Sequence, residues 1–395
     1  MRGEPVVVVG VGSHPWGKFP DKTFVDLGAT AVQEALKDAG VTWQDVPAMV
    51  SGIYVWGGTD ALNAGHAIGA RFGYTGIPIT NVFNMCATAT SALRSAYHVV
   101  ASGEQEMCLA VGVDVSPKGF FGFMGKPDPM DTDYLRFRLI GLTNPGYWAI
   151  EARKRMAEYG TTERHLALAK VACSKHGSLN PAALFRKAYT QEEVLNSPLV
   201  ADPLRLLEIC ATRDGAAAVL LCSKAKARTL TTKPIHLAGV GLGSCMQGDP
   251  TVRLGTLCAP VEPSAPRLSE SVAAAQMAYN MAGIGPDDVD LVELPDNSSW
   301  HYLQYIETLG LCGPGEADGL LEQGETLIGG KIPICPSGGA SSYGEAISAQ
   351  GLLQVCDVVS QLRGDAGQRQ LVGARVGLTQ TYGQLGNSST AILTT

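Results

Sequence analysis

Four consecutive valines, Val6-Val7-Val8-Val9, open an apolar run over residues 6–11 that reads as a buried strand. The next segment, Phe24–Ala39, repeats apolar residues at helical spacing and stops at Gly40, where a helix C-cap belongs. The alternation continues downstream. Residues 79–83 are β-prone, residues 91–101 read as a helix, and Met107–Val115 reads as another buried strand. Residues 145–159 and 162–176 are again helical in pattern. Apolar strands alternating with amphipathic helices predict an α/β layered protein with helices packed on sheets.

One part of the pattern occurs twice. Ala35-Leu36-Lys37-Asp38-Ala39-Gly40-Val41, then Asp45-Val46, closes a helix and opens a strand. Met277-Ala278-Tyr279-Asn280-Met281-Ala282-Gly283-Ile284, then Asp288-Val289, does the same far downstream. Gly40 and Gly283, and likewise Val46 and Val289, differ by one constant offset of 243 residues. A duplicated α/β half accounts for this, with residues 1–225 and 226–395 as the two halves. The boundary is expected near residues 225–265, where Pro, Thr and Gly cluster. Residues 116–205 read as an insertion in the first half, with loops such as Lys126-Pro127-Asp128-Pro129; loops on a rigid scaffold are where specificity usually sits.

Composition narrows the function classes. The 395 residues are 45% hydrophobic and 17% charged, as in a compact protein with a large core. Thirty basic against 37 acidic residues leave a net charge of −7, and no Lys/Arg run offers the cationic stripe that nucleic acid or an anionic membrane surface requires. No apolar stretch approaches the roughly 18 residues of a spanning helix, and no signal-peptide pattern opens the chain. Ten cysteines without a Cys-x-x-Cys pair read as reduced thiols, so a cytoplasmic enzyme is expected.

Cys86 is the first candidate for chemistry. It lies in Asn84-Met85-Cys86-Ala87-Thr88-Ala89, between the β-prone segment and a helix of small residues. A thiol at a helix N-terminus meets unpaired N–H groups that favour thiolate, although a buried structural thiol is the plain alternative for any one of ten cysteines. This string resembles the nucleophile segment of the thiolase superfamily, in its sterol-carrier-protein or lipid-transfer branch. Asp214-Gly215-Ala216-Ala217-Ala218-Val219, Pro336-Ser337-Gly338-Gly339 and Gly344-Glu345 resemble further segments of that family, in the family's order along the chain. The resemblance implies a five-layer αβαβα fold of two βαβαβαββ halves, usually a homodimer through a Gly/Ala-rich strand and helix of the first half. It also implies coenzyme A as part of a thioester substrate, with no tightly bound cofactor.

The departures from the family pattern bear on mechanism. A working thiolase resembles a three-part device: a nucleophilic Cys, an activating His, and a second Cys that moves a proton at the α-carbon. Here Glu345 holds the His position in Tyr343-Gly344-Glu345-Ala346. The branch's His-Asp-Cys-Phe segment reads Pro295-Asp296-Asn297-Ser298, and Gln380-Thr381-Tyr382-Gly383 carries no thiol. A carboxylate beside a thiol opposes thiolate formation, the reverse of a His partner. Retro-aldol cleavage needs other parts: a base for a β-hydroxyl proton and donors for a thioester enolate.

On the resemblance, Glu345, Tyr343, Asp296, Tyr382 and Cys86 are the expected catalytic set, and Asn297, Gly338, Gly339, Gly344 and His301 the expected substrate-binding set. A surface carboxylate for Glu345, ordinary packing for the two tyrosines and a capped surface site for His301 remain the alternatives. Some members of the branch are aldolases that cleave the side chains of steroid-type acyl-CoA esters with a small zinc-ribbon/OB-fold partner, and the chain resembles these more than degradative thiolases. The expected function is therefore a carbon–carbon lyase acting on a β-hydroxyacyl-CoA. A true acyltransferase using Cys86 covalently and a non-catalytic acyl-CoA-binding scaffold are its rivals; a heterotetramer with the small partner is the expected assembly.

His66, His98, His165, His176, His236 and His301 show no His-x-x-x-His spacing, so no metal site is expected, and His98 is expected in the core. Gly10-Val11-Gly12 lacks the later glycine and acidic residue of a dinucleotide fingerprint.

Overall fold

The computed structural model describes residues 4–117, 143–230, 233–244, 269–383 and 387–395. In the first half, β1 (Val6–Gly17), α1 (Phe24–Ala39), β2 (Met49–Ile53), α2 (Ala64–Ala70), β3 (Ile79–Val82), α3 (Thr88–Ala101) and β4 (Met107–Val115) follow one another. Then come α4 (Asn144–Tyr159), α5 (Glu163–Ser178), α6 (Gln191–Leu195), a small hairpin of β5 (Leu199–Ala201) and β6 (Leu204–Arg205), β7 (Asp214–Ser223) and α7 (Lys224–Ala227). The second half holds β8 (Ile235–Ser244), α8 (Glu270–Ala282), β9 (Leu291–Glu293), α9 (Ser299–Thr308), α10 (Ala317–Glu322), α11 (Gly339–Tyr343), α12 (Gln350–Arg363), β10 (Val376–Gly383) and β11 (Asn387–Thr394).

Local chemistry sets these elements. Thr23 and Asp26 form a capping box at the start of α1, apolar residues recur at Phe24, Leu27, Ala31, Leu36 and Ala39, and Gly40 ends the helix at φ 68°. Its counterpart α8 starts on the Ser269 cap and ends on Gly283 at φ 74°. The helix expected from residue 91 begins three residues earlier, at Thr88. His98 lies on the exposed face of α3, outside the core expected for it. The Lys126-Pro127-Asp128-Pro129 loop lies outside the described residues, as does most of the expected boundary segment.

The main strands run in the order β3-β2-β4-β7-β1-β8-β11-β10-β9. β3, β2 and β4 are parallel, and β7 runs antiparallel to both β4 and β1. In the second half β8, β11 and β10 are antiparallel neighbours and β9 is parallel to β10. A parallel bridge of Ile334 to Val292 stands where β3 stands beside β2. Among the described residues, the strands of the two halves pair through Val7–Val8 against Ile235–His236. The repeat seen in the sequence is thus a repeat of topology.

Three apolar clusters separate five layers. Leu27 and Val32 of α1 pack on Leu109 and Leu220 of the first half-sheet. Leu93 of α3 and Val355 of α12 pack between Val219 of the first half-sheet and Leu291 and Ala391 of the second. Ala278 of α8 covers the far face, on Val292, Leu378 and Ile392. The order is therefore αβαβα. The outer helices lie unusually close to their strands: a Cβ at Gly12 would be 2.3 Å from the Ala35 backbone nitrogen, and one at Gly241 2.0 Å from the Ala274 carbonyl. Both half-sheets direct their strand ends and following turns to one region beside α3 and α11, where the candidate chemistry gathers.

Candidate active site

Cys86 sits on a strand–turn–helix junction. β3 ends at Val82, Met85 takes φ 49°, and a turn over Met85–Ala87 leads into α3. A non-glycine residue at positive φ stores strain that its surroundings must hold. Here Thr88 Oγ1 donates to the Met85 carbonyl at 2.6 Å, and the Asn84 amide donates to that hydroxyl at 2.8 Å. Cys86 is half-buried at the N-terminal end of α3. Gly383, at the end of β10, lies against it; a Cβ there would be 2.9 Å from the Cys86 nitrogen and 2.6 Å from Asn387 Oδ1.

Glu345 reaches the same place through a backbone zipper. Ile209 bridges Ser298, the Cys210 amide donates to the Asn297 carbonyl at 2.9 Å, the Glu345 amide donates to the Ala211 carbonyl at 2.8 Å, and the Arg213 amide donates to the Glu345 carbonyl at 2.8 Å. Residues 209–213 therefore tie the Asn297 turn to the Glu345 turn. Gly344 permits the approach: it has φ 82°, and a Cβ there would be 2.4 Å from Arg213 Cγ. The result is a buried carboxylate between two thiols. Cys86 Sγ donates to Glu345 Oε1 at 3.9 Å, Cys210 Sγ donates to Oε2 at 3.7 Å, and Asn297 Nδ2 donates to Cys210 Sγ at 3.8 Å.

Glu345 is only 6% exposed, which rules out the surface-carboxylate alternative. Burial pushes its carboxyl up to about 7; the nearby Asp114 carboxyl adds to the rise, and hydrogen bonds from Asn297 and the two thiols oppose it. Asp114, also fully buried, is itself pushed up to about 6 by burial, against the Ser348 amide and hydroxyl on its oxygen. A carboxyl group that titrates near neutrality and is placed beside a half-open thiol can take and return a proton.

The other expected residues divide. Asn297 and Gly344 join this group, as shown by their contacts above. Asp296 is not aimed at Cys86 as a base would be: its Oδ1 accepts the Ala340 amide at 2.6 Å and its Oδ2 the Ser341 amide at 3.0 Å, which fixes the start of α11. Gly338 and Gly339 serve the same packing, since a Cβ at 339 would be 2.3 Å from Asp296 Oδ1 and one at 338 would be 2.6 Å from Gly177 Cα. Tyr343, expected as a phenolic donor, turns into the central layer, where its hydroxyl accepts from Asn180 Nδ2 at 2.8 Å and its ring packs on Trp16. These residues position the turn that carries Glu345.

Tyr382 and His301 belong to an aromatic wall rather than to the carboxylate. Tyr382 packs on His301 at 5.9 Å and Tyr305 at 5.7 Å between ring centroids, one residue from the Gly383 contact with Cys86. His301 is buried, not a surface cap; burial pushes it down to about 3, and Nδ1 pairs with Ser298 Oγ at 2.8 Å. It is neutral at working pH. Tyr305 also lines a cleft of about 290 Å³ with Tyr147, Glu151, Arg155, Trp300 and Gln304.

Among the described residues, Cys173, Asp296 and Cys335 bring donor atoms within 4.8 Å of one another. The buried Lys170 ammonium beside Asp296 and the two amides already on its carboxylate oppose a cation there. Cys210 is the site residue that the sequence reading passed over. The signal available for it was its place four residues ahead of the Asp214-Gly215-Ala216 string.

Comparison with known proteins agrees along the whole chain. Residues 6–116 match the family described as thiolase, N-terminal domain, and residues 262–395 match thiolase C-terminal domain-like. The chain is 36% identical over 390 residues to acetyl-CoA acetyltransferase of Methanothermobacter thermautotrophicus, covering 97% of each protein. It is 33% identical over 393 residues to sterol carrier protein 2 of Bos taurus, covering 96% of this chain and 70% of that one. Among solved structures, the Ltp2-ChsH2(DUF35) aldolase superposes with a TM-score of 0.85 at 25% identity, covering 99% of this chain and 98% of the other.

Proposed function

Because this chain belongs to the thiolase superfamily, in its sterol-carrier and lipid-transfer branch, and is thereby an acyl-CoA enzyme of thiolase fold, we propose that it cleaves the bond β to a CoA thioester by retro-aldol chemistry. The observation that carries this reading is the buried Glu345 carboxyl, 3.9 Å from Cys86, at the position where the family pattern has a histidine. A carboxylate there supports a base for a hydroxyl better than an activator for a thiol nucleophile.

The step balances without an added reactant. Glu345 takes the β-hydroxyl proton and the Cα–Cβ bond breaks, with its electron pair going to the α-carbon as a thioester enolate. The β-carbon leaves as a carbonyl product. Glu345 then returns its proton to the α-carbon, giving the shorter acyl-CoA. Cys86 is a neutral neighbour in this scheme, and the N-terminal end of α3 favours the enolate charge. Likeness to the Ltp2-ChsH2(DUF35) aldolase supports aldolase chemistry carried out in complex with a second protein. The small zinc-ribbon/OB-fold character of that partner and the steroid-type acyl group are what the family resemblance implies.

The identity to an acetyl-CoA acetyltransferase favours one other reading, a thiolase that uses Cys86 covalently. Free CoA separates the two. The protein, with a candidate small partner supplied, is incubated with β-hydroxyacyl-CoA and β-ketoacyl-CoA panels with and without free CoA. Retro-aldol cleavage releases a carbonyl compound from the hydroxy esters with no free CoA present. Cleavage confined to keto esters and dependent on free CoA would replace this proposal with the thiolase.

A further inference from the structure

The mechanism above uses one oxygen of Glu345 and leaves the other unexplained. That inner oxygen, Oε2, faces Cys210, which is 4% exposed and on the opposite side of the carboxylate from Cys86. The sulfur of Cys210 already accepts from Asn297 Nδ2 at 3.8 Å, so its single proton is directed at Glu345. The backbone enforces this pairing from both sides, with the Cys210 amide on the Asn297 carbonyl and the Glu345 amide on the Ala211 carbonyl.

We propose that Cys210 is a positioning residue: its thiol holds the inner oxygen of Glu345, and through it sets the basicity of the outer oxygen that meets Cys86 and the substrate. The chain Asn297 → Cys210 → Glu345 then acts as one unit, in which each donor fixes the direction of the next. Burial, with the Glu345 and Asp296 carboxyls nearby, pushes the Cys210 thiol well above its ordinary range and keeps it a donor. The charged and titratable groups facing the pair are Asp114 at the end of β4, Cys86 at the start of α3, Asp296 after β9 and Lys170 on α5. Arg213, the remaining neighbour, turns its guanidinium to Phe185 and to the Thr212 carbonyl.

This inference rests on Glu345 being the base, and the test separates the two claims. A hydroxyl is a stronger donor than a thiol, and a methyl group donates nothing. Donation to the ionised carboxylate favours it, so Cys210→Ser is expected to move the acid limb of the kcat–pH profile down and Cys210→Ala to move it up, each by about half a pH unit or more. A purely structural role would lower stability in both variants without moving the limb in opposite directions. Circular dichroism confirms folding, and Cys210→Ser, nearly equal in size, keeps the test decisive if the alanine variant fails to fold. If Glu345→Gln retains turnover, the base assignment falls. If Glu345→Gln abolishes turnover while the serine variant's limb does not move, or moves upward, Cys210 has no such role and the base assignment stands.

Discussion

Glu345 combines three conditions that fix when it can act: it is buried, it lies near a second buried carboxyl at Asp114, and its donors come from an amide and two thiols. Its pKa is raised to about 7, so it is protonated and idle below that value and becomes a base above it. Turnover is therefore expected to rise with pH through an acid limb near 7, read from kcat–pH profiles on a β-hydroxyacyl-CoA. Replacing the group with its uncharged isostere, Glu345→Gln, should lower kcat at least about 100-fold while circular dichroism stays native. Cys86 gives the opposite expectation. Cys86→Ala should keep a substantial fraction of turnover, because no covalent bond to sulfur is required. A loss beyond about a thousandfold, together with an acyl-enzyme visible by mass spectrometry, would establish covalent catalysis.

At the scale of elements, the site hangs on turns held by carboxylates at the end of β9 and just beyond it. Glu293 accepts the Ser337 amide at 2.9 Å and the Ser337 hydroxyl at 2.7 Å, and Asp296 accepts the next pair of amides in α11. The helices of the insertion are bound to the second half by a different device. Arg155 of α4 is buried and donates to both Glu307 oxygens, at 2.8 and 2.6 Å, and to Asp318 at 3.0 Å. Removing the guanidinium takes the buried cation from Glu307 and Asp318, which keep only the Ala317 amide on the one and Thr161 and His165 on the other. Arg155→Ala should therefore destabilise the fold by about 3 kcal/mol in urea unfolding. Arg153, two residues away, pairs with Asp202 in solvent, and Arg153→Ala should cost less than about 1 kcal/mol in the same measurement.

Taken as a whole molecule, the chain presents β3 as an edge of its large sheet, with exposed or half-buried residues along it and an exposed Phe83 at its end. An uncovered edge strand of this kind pairs readily with a second copy. The family resemblance implies a homodimer through a Gly/Ala-rich strand and helix; this edge, Ile79-Thr80-Asn81-Val82, has neither residue. The dimer is expected through it on its exposure alone, visible in sedimentation velocity at micromolar concentration and shifted toward monomer by Phe83→Glu. A wild-type chain that sediments as a stable monomer would remove this interface. Among the described residues no helix is long and apolar enough to cross a membrane.

Much of this was decided by sequence alone, because it depends on neighbours along the chain. Helices often end on a left-handed residue, most readily a glycine, so Gly40 and Gly283 marked two helix ends and, through their common offset, the duplicated topology. Alternating apolar runs placed β1 and β4, and the replacement of His by Glu345 was legible as a single letter. What a side chain faces was not legible. Cys86 and Cys210 lie 259 and 135 residues from Glu345, and they meet it only because residues 209–213 pair on one side with the Asn297 turn and on the other with the Glu345 turn. Tyr343 is two residues from Glu345 and points instead to Asn180, since α11 turns its ring into the central layer. Asp296 is a carboxylate at the expected place, yet two amides occupy it. Residue identity set which chemistry was available. Long-range backbone pairing and the burial it produces decided which carboxylate became the one that titrates beside Cys86.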